Sequence, residues 1–129
     1  MIRVQTTLLA AAALLMWFAA AFFAFVLEPD LHGDLVELSV RTSVLGATVM
    51  HFYFAAMAMV GFAVMTSVAA VQSARGAAPP LVPLATVAII EIMFGAMQFS
   101  RSHNPHHLGP ILTGVLVAAA LLTPNRQAG

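Results

Sequence analysis

Residues 6–27 read T-T-L-L-A-A-A-A-L-L-M-W-F-A-A-A-F-F-A-F-V-L. These 22 residues carry no charge, and a helix needs about 20 apolar residues to cross the hydrocarbon core of a bilayer. A secretory signal is the competing reading, with Arg3 as a charged start and Ala19-Ala20-Ala21 as a small-residue cleavage site. The apolar run continues past those alanines to Leu27, so the segment reads as a retained membrane span. The whole chain agrees. It is 61% hydrophobic and 8% charged, with a mean hydropathy of +0.96, whereas soluble domains are about one quarter charged.

Three further apolar runs follow, at about 44–71, 81–99 and 105–123. Gly76 with Pro79-Pro80 punctuates one connection, and Pro124 marks a stop. The expected fold is all-α, a bundle of four transmembrane helices forming one domain over residues 1–129. Between the first two spans lies E-P-D-L-H-G-D-L-V-E-L-S-V-R-T, residues 28–42. Asp34 and Glu37 fit a reciprocal capping pattern, which predicts a short interfacial helix starting near Leu35. Asn104-Pro105 reads as a cap and first helical residue of the fourth span, and Pro110 implies a kink there or a start near Gly109.

Four alternating spans place the segments 28–43 and 100–107 on one membrane face, opposite the termini. Arg3, Arg75 and Arg126 fall on the terminal side against Arg41 and Arg101 on the other, which puts both termini in the cytoplasm by the positive-inside rule. The lipid bilayer is the first partner. Pairs of small residues four apart, Ala20/Ala24, Ala63/Ser67, Ala96/Ser100 and Gly114/Ala118, suit close helix packing. With zero net charge and no lysine there is no basic stripe for nucleic acid. The absence of cysteine excludes disulfides, thiolate metal sites and a cysteine nucleophile.

Glu91 is the one ionisable residue well inside the third span, ten positions from Leu81 and so about 15 Å deep. An ionised carboxylate there costs several kcal/mol, roughly, unless paired or protonated. It is either a proton-relay or ligand-binding group, or an acid that locks two helices together. His51 lies seven residues in from Val44, about 10 Å below the opposite boundary, which brings the two groups within about 5 Å in depth. The two are therefore expected to form a buried polar pair. A second reading of His51 is a haem or chlorophyll ligand.

The loop S-R-S-H-N-P-H-H-L-G-P, residues 100–110, carries His103, His106 and His107. Asp30, His32 and Asp34 belong to the other loop of the same face. Imidazole with carboxylate suits zinc or copper, so a mixed site across both loops is one reading and a wet turn at headgroup level the other. No spacing matches H-E-x-x-H. Met93/Met97 and Met50/Met57 stand at helical spacings that would suit Cu(I), as in the M-x-x-x-M element of copper transporters, or serve as adaptable packing.

Length, the polar segment after span one and A-I-I-E-I-M-F-G in span three resemble the DoxX-like group of small four-span bacterial membrane proteins. Glu91 and Gly95 look like the Glu and Gly that recur in that group's third helix. Span one departs from the pattern, having no glycine. The resemblance implies a bacterial inner-membrane subunit associated with quinone-linked or thiol redox partners. Three functions therefore stand. The first is an accessory subunit packing against a larger membrane complex, in which Trp17, Phe22, Phe23 and Phe25 dock a pigment, lipid or helix. The second is a quinone- or proton-linked redox component using His51 and Glu91. The third is copper or zinc binding or transport at the His/Asp-rich face.

Overall fold

The computed structural model describes residues 4–123. Arg3, Arg126 and the expected stop at Pro124 lie outside the described residues. Helix α1 spans Val4–Phe22 and passes through a π-helical turn, Phe23–Leu27, into α2, Glu28–Glu37. Then come α3 (Thr42–Ala74), α4 (Leu81–Ser102), a 3₁₀ turn (Pro105–His107) and α5 (Leu108–Leu122). Four helical segments are long and apolar enough to cross a membrane, with α1 and α2 counted as one. The chain is an all-α bundle and an integral membrane protein in contact with lipid.

The expected break after Leu27 is absent, and the expected interfacial helix is the far end of the first one. Pro29 has no N–H and its ring crowds the carbonyl four residues back. The π turn before it loosens the ladder at that point, with the Glu28 N–H bonding to the Phe23 carbonyl. The helix therefore continues to Glu37. Asp34 caps nothing at an N-terminus; its backbone carbonyl accepts the Leu38 N–H at 3.0 Å, closing the helix instead. Ser39 takes a left-handed φ of 53°, and the Val40 N–H returns to the Leu35 carbonyl at 3.2 Å.

The remaining boundaries follow from local chemistry. Gly76, with φ of 88°, ends α3, and the Ala77 N–H bonds to the Gln72 carbonyl at 2.9 Å. The Asn104 side chain accepts the His106 N–H at 3.3 Å, the expected cap, but on a 3₁₀ turn that precedes α5. Pro110 falls in the first turn of α5, where a missing N–H does no harm.

Antiparallel pairs α1/α3 and α4/α5 form two hairpins, joined chiefly through α1 against α5, while α3 and α4 hardly touch. The buried core draws on Leu9, Ala12 and Met16 of α1, Ala63 and Ala69 of α3, Leu84 and Val87 of α4, and Val117 and Ala120 of α5. All of these lie towards the terminal end of the bundle. No residue from 21 to 62 or from 96 to 112 is buried, so the opposite half is splayed. Ala20, Ala63 and Gly114 of the small-residue pairs are buried, whereas Ala96 and Ser100 are exposed.

Length separates the hairpins further. The first segment, Val4–Glu37, has 34 residues and α3 has 33, against 22 for α4. At 1.5 Å per residue the first hairpin outreaches the second by about 17 Å. Gln5, Ser73 and Ala120 meet at the terminal end, so the surplus emerges at the other end as an arm made of α2 and the start of α3.

Candidate functional site

Glu91 occupies the buried face of α4 with Leu84, Val87, Ala88 and Gly95, at the spacings that share one side of a helix. It lines a small cavity of about 10 Å³ with Met16 and Ala19 of α1, Met59 of α3, and Pro110 and Thr113 of α5. All four membrane-crossing helices thus converge on this carboxyl. Gly114 makes the approach feasible, because a Cβ there would lie 3.1 Å from that of Glu91. The Thr113 hydroxyl donates to the Gly109 carbonyl at 2.9 Å. Glu91 itself is only 8% exposed, and no hydrogen bond or ion pair joins it to any other described residue.

His51 is not its partner. The ring is exposed, and its Nδ1 lies 2.6 Å from the Ala47 carbonyl oxygen one turn back. A carbonyl only accepts, so Nδ1 carries the proton and donates. The expected depth match assumes that α3 begins at the height where α4 ends. α3 overhangs, and the residue at the level of Glu91 is Met59, two turns further along. His51 belongs to the exposed half of α3.

The His/Asp-rich face is not gathered either. Asp30, His32 and Asp34 are exposed on α2, within the arm, while His103 and His106 are exposed at the end of the shorter hairpin. Counted along the helices from the terminal end, His32 stands about 9 Å beyond His103. The His106 and His107 rings meet edge-on at 4.1 Å, and the His103 ring lies 5.9 Å from Phe99. Among the described residues no three His, Asp or Glu side chains are grouped to hold a metal ion.

Met50, Met57, Met93 and Met97 all face outward. The thioethers at the bundle centre are Met16 and Met59, neither of which belongs to those spaced pairs. A polar cluster that no sequence expectation covers closes the terminal end. Gln5 Nε2 donates to the Ala120 carbonyl at 3.0 Å, and Ser73 Oγ donates to Gln5 Oε1 at 3.2 Å. With that proton committed, Thr6 Oγ1 is the donor in its 2.9 Å bond to Ser73 Oγ. Higher up, Thr66 donates to the sulfur of Met16 at 3.4 Å. Thr66 is an uncharged polar residue within an apolar run, while Gln5 and Ser73 stand just outside the ends of two such runs, and that is the available signal.

A second concavity, about 490 Å³, lies on the outside of the first hairpin. Its floor is alanine, Ala20, Ala24 and Ala56, and its walls include Trp17, Tyr53 and Met57. The Trp17 indole donates to Ser67 Oγ at 3.2 Å, which fixes that wall.

Fold and site define a small four-span integral membrane protein with one buried, unpaired carboxyl. Compared with protein-family models, with curated proteins and with solved structures, the chain matches none.

Proposed function

We propose that this protein is a non-catalytic subunit that binds a larger membrane protein through its long first hairpin. One observation carries the reading: the arm carries exposed apolar side chains farther from the terminal end than a hydrocarbon core is thick. A hydrocarbon core is about 30 Å thick, close to the length of α4 at about 33 Å. Val36, Leu38 and Val44 lie beyond that length and are each more than half exposed. Small-residue floors with aromatic walls, as in the Ala20/Ala24 groove, are the surfaces on which a further transmembrane helix packs. The likeness to the DoxX-like group supports a bacterial inner-membrane subunit beside redox partners. The excess of arginine at the terminal end supports an arm on the non-cytoplasmic side.

Gentle solubilisation from the native membrane, followed by mass measurement of the particle, tests the proposal. The expected result is a particle larger than the chain, containing a second polypeptide in fixed ratio. Leu38→Asp with Val44→Asp should release it while the bundle stays folded. A monodisperse monomer in mild detergent overturns the reading.

A further inference from the structure

Glu91 poses a question that the subunit reading does not answer. A carboxyl more than nine-tenths buried ordinarily finds a hydrogen-bond partner, because an unmet one costs about 1–3 kcal/mol or more. Here the described protein supplies none. It supplies instead a cavity of about 10 Å³ against the carboxyl, near the least volume that admits one water.

We propose that Glu91 is a proton-binding site whose carboxyl exchanges its proton through a single water held in this cavity. The wall chemistry selects that ligand. The Thr113 hydroxyl has given its proton to the Gly109 carbonyl, so its oxygen is free to accept from a water that also meets Glu91. Hard divalent cations need about six oxygens or more, and the lining offers one carboxyl and one hydroxyl beside thioethers and alkyl groups. A soft cation would compete with Thr66 for the sulfur of Met16.

No other titratable side chain lines the cavity from α1, α3 or α5. The nearest along the chain are His107, three residues before Pro110, and Tyr53, six before Met59, with His51 two positions further. Nothing in the site therefore fixes the charged form by pairing. Beyond Glu91, towards the end of α4, only Gly95 is buried, so protons approach from the splayed half. The poorly closed seam between α3 and α4 admits a lipid-soluble reagent from the side.

The test uses the isolated full chain in phosphatidylcholine vesicles, so its outcome is independent of any partner subunit. A lipid-soluble carbodiimide adds to protonated carboxyls in apolar surroundings, and peptide mapping separates Glu91 from Glu28, Asp30, Asp34 and Glu37. The expected result is one adduct at Glu91, forming several-fold faster at mildly acidic than at alkaline pH, and lost in Glu91→Gln. Glu91 that reacts only after the chain is unfolded, or equally fast at both pH values, overturns the proposal. The wild-type chain alone decides between these outcomes.

Discussion

A methyl group added at Gly114 would lie 2.7 Å from the carbonyl oxygen of Ala88, so α5 and α4 meet backbone to backbone. The same crossing is met two turns away, where a Cβ at Gly95 would lie 2.9 Å from the His107 carbonyl. In lipid, where apolar side chains gain little by leaving the solvent, such close approach is a main source of helix association.

Gly95→Ala and Gly114→Ala should each destabilise the bundle by about 1–3 kcal/mol through overpacking. Gly46 and Gly61 in α3 have open space around them. Alanine there should stabilise by about 0.5–1 kcal/mol, since glycine within a helix is the poorer former. Unfolding midpoints in mixed SDS micelles for the four variants check the contrast: two should fall and two should rise.

The cluster at the terminal end ties three helices together. Ser73→Ala removes the donor to Gln5 and the acceptor for Thr6, and should destabilise by about 1 kcal/mol. Gln5→Leu removes the other side of the same link. The double variant should therefore lose less than the sum of the two, with a coupling of about 0.5 kcal/mol or more. Strict additivity in the same unfolding assay would contradict the cluster.

His51 and Glu91, by contrast, belong to different halves of the bundle. His51→Ala and Glu91→Gln should add to within about 0.5 kcal/mol. A larger coupling in a double-mutant cycle would restore the paired arrangement that the structure lacks.

Four spans were legible in the sequence because bilayer thickness imposes a length that no alanine-rich run can disguise. The end of the first span was not. Glu28 to Glu37 turns polar, and in a sequence polarity of that kind reads as a break in the backbone. The π turn that lets Pro29 sit within a continuous helix leaves no mark that periodicity can detect. Glu91 was legible as the sole carboxylate within a span. Its surroundings were not, because depth counted from Val44 ignores the overhang of α3. Met16, Met59 and Thr113 meet the carboxyl through helix rotation and crossing, which sequence spacing does not encode. The His and Asp residues do share one end of the bundle, as alternation requires, yet unequal hairpins keep them apart.

Placement of the connections tests the four-span account most directly. The chain has no cysteine, so Ser39→Cys, Ala77→Cys and Asn104→Cys each introduce a unique thiol at a different turn. Labelled with a membrane-impermeant maleimide in sealed vesicles of one orientation, Ser39→Cys and Asn104→Cys should react together. Ala77→Cys should react only when the opposite face is opened. Ser39→Cys and Ala77→Cys reacting from the same face would contradict the account.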